Sequence, residues 1–333
     1  MKEVIFFSRK PAKNQFSVEK TNTTIIEGFK KYNSHYKLNR IIAKKESRGI
    51  INRLFIWFQA YKFKGDIFHV SGDILFSILF NRSKKKVITI LDLRYKTYDQ
   101  FFKKIILKFL WFKLPIKYSD LILTISEEVK KEIIKEFKVP TDKIKVVYVP
   151  FDKSKFKNKT IRKSVRDKIN VLIIGTKKNK NLSNILIACK NIKTIHLNII
   201  GKIPEELLPL TKDISFKEYI GINDKEVASL YQKSSVLCFP SFFEGFGMPI
   251  IEANLSGLPV VCSNIEVLKE IAGNSALFVD PFKADEIKQS IIRIEKNKNL
   301  RDELIQKGYE NSKKFELKQI IKRYSDAYDA LYS

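Results

Sequence analysis

Two glutamates eight residues apart, Glu244 and Glu252, flank a Gly-Phe-Gly turn in CFPSFFEGFGMPIIEANLSGLPVVC, residues 238–262. An apolar run ends at Phe239, and a short loop carries Glu244, Gly245, Phe246, Gly247 and Met248. Pro249 suits the first position of a helix, where its missing N–H costs nothing. That helix is expected to run to about Leu255 and stop at Gly257, with Glu252 in its first turn. Glycines let a backbone come close to a ligand, and the N–H groups at a helix start attract a phosphate. A rigid carboxylate accepts two hydrogen bonds from a vicinal diol such as a ribose, and a second carboxylate in the loop reaches hydroxyls of an attached sugar. Such charge-assisted bonds are strong. This chemistry fits a sugar nucleotide. The competing reading is a helix cap at Glu244 and ordinary dipole chemistry at Glu252; two glutamates around one glycine loop favour the ligand. The loop is not a GxGxxG fingerprint, because position 250 is Ile, and no GxxxxGK[ST] exists, which excludes a P-loop.

A second segment, VLIIGTKKNKNL at 171–182, ends a strand at Gly175 and continues into a lysine loop. Lys177, Lys178 or Lys180 could bind a diphosphate and neutralise its charge as it leaves. Asn181 or Ser183 could cap the following helix.

Elements must bring these segments together. Short apolar runs at Glu3–Phe7, Asp66–Val70, Lys86–Ile90, Leu121–Thr124 and Lys145–Val149 read as strands of a parallel sheet covered on both faces. Val171–Ile174, Ile195–Ile200, Val236–Phe239 and Pro259–Cys262 repeat the pattern, and a last strand-like run ends near Val279. Helical patterns lie between them, and three more follow at about 284–296, 299–313 and 316–331. The expectation is an α/β protein with two Rossmann-like, doubly wound domains facing a cleft. Its parts are residues 1–150, a lysine-rich linker at 151–168, a second domain at 169–315, and a closing helix at 316–333.

Composition narrows the classes. The chain has 333 residues, with 63 Lys+Arg against 36 Asp+Glu and a net charge of +27. Residues 1–150 hold 32 basic and 14 acidic residues. Such a field attracts polyanions: nucleic acid, anionic lipid or phosphorylated small molecules. No nucleic-acid-binding signature accompanies the charge. The three cysteines lack metal-ligand spacing and suit a reducing compartment. The apolar run Val4–Phe7 is too short for a signal peptide, and no stretch of about 18 apolar residues would span a membrane. A cytoplasmic protein is expected.

The E-x7-E spacing within FPSFFEGFGMPIIEA resembles the signature of retaining glycosyltransferases of family 4, which have the two-Rossmann GT-B fold. IIGTKKNKNL is similar to that family's strand–Gly–loop–Lys-Asn segment, GINDKEVASLYQKSSVLCFPS to its lead-in, and NSALFVDP to its C-terminal close. HVSGD, VITILDL and LTISEEVKKEI resemble segments of shorter bacterial members, so the likeness covers nearly the whole chain. The resemblance implies that Glu252 binds the ribose and Glu244 the transferred sugar. Backbone N–H groups from Phe246 to Met248 would hold sugar hydroxyls or phosphate, and Lys180 would bind the diphosphate. Gly221, Ile222 and Asn223 would lie near the base, and the last helix would cross back to the first domain. Two positions depart from the pattern. Thr176 stands where many members have a basic residue, for which Lys177 or Lys178 could compensate. Leu91 stands where His often precedes Asp, leaving Asp92 as the candidate for orienting an acceptor hydroxyl; capping is the plain alternative.

The implied reaction moves a sugar from a nucleotide-diphosphate sugar to an acceptor hydroxyl with retention. No D-x-D motif is present, which agrees with a site using neither metal nor cofactor. A glycan or lipid-linked oligosaccharide of the cell envelope is the expected acceptor. Residues 53–64 and 100–114 mix aromatics with Lys and Arg, and each could lie on an anionic membrane surface at the inner face of the cytoplasmic membrane. For each singly, a sheet-covering helix with lysines outward is the favoured reading, with Trp57 and Trp111 in the core. A basic nucleic-acid-binding protein and a non-catalytic nucleotide-sugar binder are the alternatives.

Overall fold

The computed structural model describes residues 1–11, 17–33, 35–93, 95, 100–151 and 168–332. Most of the segment read as a linker, residues 152–167, lies outside the described residues. The chain divides into two compact units, Met1–Phe151 with Glu316–Ser333, and Asp152–Phe315.

The first unit carries strands β1 (Lys2–Ser8), β2 (Tyr36–Ile42), β3 (Ile67–Ser71), β4 (Lys85–Ile90), β5 (Leu121–Thr124) and β6 (Ile144–Val146). All pair in parallel, in the order β2-β1-β3-β4-β5-β6. Helices α1 (Ser17–Tyr32), α2 (Ile50–Tyr61), α3 (Phe101–Leu107), α4 (Leu114–Tyr118) and α5 (Glu127–Phe137) connect them, α3 and α4 being joined by a π turn at Lys108–Lys113. Alternate residues of β1 enter opposite cores. Ile5 and Phe7 pack with Ile56 of α2 and Ile133 of α5. Val4 and Phe6 pack with Phe29 of α1 and with the chain's last helix. Burial on both faces is why central strands read as unbroken apolar runs.

The second unit carries β7 (Ile169–Ile174), β8 (Ile195–Ile200), β9 (Ser215–Tyr219), β10 (Val236–Phe239), β11 (Val260–Ser263) and β12 (Ala276–Val279). They are again parallel, in the order β12-β11-β10-β7-β8-β9. Its helices are α6 (Leu182–Cys189), α7 (Asp224–Lys233), α8 (Met248–Leu255), α9 (Glu266–Ala272), α10 (Ala284–Lys296) and α11 (Lys298–Ser312). The doubly wound α/β class read from the sequence is the class observed.

Two strands escaped the sequence reading, β2 (YKLNRII) and β9 (SFKEY). Both are sheet edges with half-exposed residues, so charge interrupts their apolar pattern. The run read as Lys145–Val149 pairs only at Ile144–Val146, one edge of its sheet.

The last helix, α12 (Leu317–Asp329), belongs to the first unit. It buries Ile320, Ile321, Tyr324 and Tyr328 against the first sheet. Gly28 in α1 makes this possible: a Cβ there would lie 2.7 Å from Ile321 and Leu317 side-chain carbons. The glycine costs α1 about 1 kcal/mol of helix propensity and permits the close approach.

His69 fastens α12 to the sheet. It is fully buried on β3, with Nδ1 2.7 Å from the Tyr328 hydroxyl and Nε2 2.7 Å from Thr89 Oγ1. One ring nitrogen donates and the other accepts. Burial holds the imidazole neutral, with its pKa lowered to about 3. The unfolded chain, near pKa 6.5 at this side chain, takes up the proton first. Stability from this group is therefore complete above about pH 6.5 and falls with pH by about 1.4 kcal/mol per unit until about pH 3. Urea unfolding at pH 7 and pH 5 is expected to show about 2 kcal/mol more acid loss in wild type than in His69→Gln. Equal losses would remove His69 as the source.

Candidate functional site

In the second sheet the chain runs from β7 out through β8 to β9, then returns to β10 on the other side of β7 and continues to β12. The order therefore reverses between β7 and β10, which in open α/β sheets is the place where ligands bind. The lysine loop follows β7 and the glutamate loop follows β10.

They are locked to one another. The Phe242 N–H donates to the Asn179 carbonyl at 2.9 Å, and Asn179 Nδ2 donates to the Phe243 carbonyl at 3.1 Å. Lys180 Nζ lies 2.5 Å from Glu244 Oε1, with side chains 20% and 13% exposed. The ammonium also stands 4.7 Å from the centroid of the Phe239 ring. Glu244 thus pairs with a lysine. It is not a helix cap: Gly247 occupies the N-cap of α8.

Asn181 corrects another expectation. It stands at the N-cap of α6, as one sequence reading had it, but makes no side-chain capping bond. Its Nδ2 donates instead to the Pro240 carbonyl at 3.0 Å and the Pro281 carbonyl at 2.6 Å. Its φ of +59° is one that Asn tolerates better than most residues. The clamp joins the loops after β7, β10 and β12. Asn181→Ala is expected to lower stability by about 3 kcal/mol, because two buried carbonyls lose their donor. Thermal or urea unfolding measures this, and a change within about 0.5 kcal/mol would show the clamp to be dispensable.

Helix α8 starts at Met248, one residue before the expected Pro249, and ends before Gly257. Glu252 is its fifth residue, so it stands past the first turn, where sequence reading had put it. Gly247 is buried at φ +117°, and a Cβ there would lie 2.8 Å from Leu268 Cδ2. Both constraints demand glycine, which fixes how α8 enters the site. Phe246 is buried edge-on against Phe315, 5.8 Å between centroids, while Gly245 and Met248 are half-buried.

Glu252 has a partner that sequence reading missed. The Tyr231 hydroxyl, wholly buried on α7, donates to Glu252 Oε2 at 2.5 Å. Burial first, and then the Glu252 charge, push the phenol pKa far up, so Tyr231 stays a donor at every working pH. No spacing rule links residues 231 and 252; only packing of α7 beside α8 joins them.

Other expected residues are less central. Lys177 is exposed, and Thr176 packs against Gly201 after β8. Gly221, Ile222 and Asn223 follow β9, two strands from β7, and Asn223 forms a capping box with Glu226 of α7. Asp92 is half-buried past β4, in the first unit. Its neighbour Leu91 lines a cavity of about 60 Å³ with Asn22, Ser71, Thr89, Tyr148 and Tyr324; Asp92 is not on that wall. Among the described residues no cluster of three or more His, Cys, Asp or Glu could hold a metal ion.

Fold and site together define an α/β protein whose second sheet carries a partly buried Lys180–Glu244 ion pair at its switch point. Residues 153–311, just under half of the chain, match the family described as Glycosyl transferases group 1. The O-antigen chain mannosyltransferase RfbU of Salmonella typhimurium is 31% identical over 60% of this chain and 57% of its own length. The O-antigen chain mannosyltransferase B of Escherichia coli is 34% identical over 34% of this chain and 30% of its own. The chain spans about half or less of the length of these curated relatives. Anabaena HepE, solved in complex with UDP and glucose, superposes with a TM-score of 0.76 at 14% identity, over 99% of this chain and 100% of that one. The overall fold is that of GT-B glycosyltransferases.

Proposed function

We propose that the chain is a retaining hexosyltransferase. It moves a sugar from a nucleoside-diphosphate sugar to a hydroxyl of a glycan or lipid-linked oligosaccharide in cell-envelope polysaccharide synthesis (lipopolysaccharide, O-antigen or capsule). The observation that carries the reading is the Lys180–Glu244 pair at the switch point of the second sheet, with Glu244 in the loop that leads into α8 and both residues within the segment that matches the Glycosyl transferases group 1 family.

Lys180 changes partner when the donor arrives, turning its charge to the diphosphate. Glu244 is released to hydroxyls of the transferred sugar, and N–H groups at the start of α8 add positive potential. Glu252, held by Tyr231, takes the ribose diol. The bond from the anomeric carbon to the phosphate oxygen breaks, and a bond to the acceptor oxygen forms on the same face. The acceptor proton leaves with the phosphate. Lysine and helix charge stabilise the departing anion without metal or cofactor. The first unit takes the acceptor, with Asp92 orienting its hydroxyl, and the enzyme works at the cytoplasmic face of a membrane.

The test is calorimetric titration with UDP, GDP, ADP and CMP without metal, followed by donor turnover. One nucleoside diphosphate is expected to bind in the micromolar range. Binding of none would overturn the reading.

A further inference from the structure

We propose that the outer face of α2 and of the α3–π segment in the first unit docks on an anionic lipid bilayer. The proposal rests on the reading above for the acceptor's place at a membrane, and on the surface itself for the contact.

Sequence reading favoured sheet-covering helices with lysines outward. The structure keeps both segments on the sheet, with Ile56, Ala60 and Trp111 in its core, but leaves apolar side chains outward as well. In α2, Ile56 and Ala60 face the core, while Ile51 is 83% and Phe58 56% exposed, with Leu54 and Phe55 also outward. Along the α3–π segment Ile106 is 54% exposed, and Ile105 and Phe109 lie outward beside it. A helix facing only water carries polar residues there. Contiguous exposed apolar surface marks a contact.

The two segments form one surface. The Arg53 guanidinium of α2 stands 4.6 Å from the Trp111 ring of the π turn. The Trp57 indole N–H donates to the Leu79 carbonyl and that of Trp111 to the Asp73 carbonyl, both at 2.8 Å. These indoles are anchors, and the smaller aromatics project. Phe80 is the plainest case: 66% exposed, at φ +61°, and edge-on to Trp57 at 5.5 Å. A bulky residue in the left-handed region is uncommon, and this one also leaves its ring in solvent.

Charge selects the partner. Residues 44–64 and 100–118 contain eleven Lys or Arg and one acid, Glu46. Arg82 stands 4.8 Å from the Tyr61 ring, and the Lys113 ammonium 5.9 Å from that of Phe109. Pairing this face with the same face of a second copy would set like charges together. A bilayer with anionic headgroups satisfies both features: apolar side chains enter the acyl boundary while Lys and Arg meet phosphates. Among the described residues no helix is long and apolar enough to cross a membrane, so the contact is made from one side.

Flotation of the full chain with phosphatidylglycerol-containing vesicles, and with phosphatidylcholine vesicles, tests the proposal. Wild type is expected to float with the anionic vesicles, to be partly released by high salt, and not to float with the neutral ones. Phe55→Ser/Phe58→Ser is expected to lower partitioning by at least about tenfold, with unchanged thermal midpoint and nucleotide affinity. Absence of flotation on anionic vesicles, or equal flotation of the variant, would overturn it. So would a wild-type dimer in light scattering that this variant dissociates, which would assign the face to a second copy. Nucleotide titration on the same preparations keeps failure of the donor-site reading separate.

Discussion

Lys180→Ala is expected to lower kcat by about 10²–10³-fold, the scale found when a preorganised donor to developing charge is removed. Two effects add. The departing diphosphate loses the ammonium at the switch point, and Glu244, 13% exposed, keeps its negative charge beside the same site. A partly buried carboxylate without its counter-ion is itself destabilising. The double variant Lys180→Ala/Glu244→Gln removes that second effect. It should recover donor affinity relative to Lys180→Ala while kcat stays low, because the leaving group still lacks its cation. Steady-state kinetics and nucleotide calorimetry on the three proteins separate the terms. A kcat within about threefold of wild type for Lys180→Ala would end the assignment of Lys180 to the leaving group.

Glu252→Ala is expected to weaken nucleoside-diphosphate binding about 30-fold, or about 2 kcal/mol, the range for hydrogen bonds to a charged group. The ligand supplies the control. Wild type should lose a similar factor when the 2′-hydroxyl is absent, whereas Glu252→Ala should bind nucleotide and 2′-deoxynucleotide alike. Tyr231→Phe should fall between, since it keeps the carboxylate and removes the buried donor that orients it. If Glu252→Ala still discriminated against the 2′-deoxynucleotide, the diol contact would lie elsewhere. The apolar site left by the alanine is small and half-buried, so binding, and not folding, should dominate the readout.

Sequence periodicity and residue type alone determined the doubly wound class, the central strands, and the glutamate and lysine loops. These are local properties: a strand buried on both faces must be apolar throughout, and a glycine loop must stand where the backbone turns into a helix. Edge strands β2 and β9 were hidden because half their residues meet solvent, so charge breaks the apolar run. Only tertiary structure decided the pairings. Lys180 meets Glu244, 64 residues away, because the strand order reverses between β7 and β10. Asn181 reaches Pro281 across 100 residues, and His69 reaches Tyr328 across 259. The outward aromatics of α2 were legible as residues but not as a surface, since which side of a helix meets the sheet depends on what the sheet offers. Contacts between distant segments follow from topology and packing, which no spacing within one segment encodes.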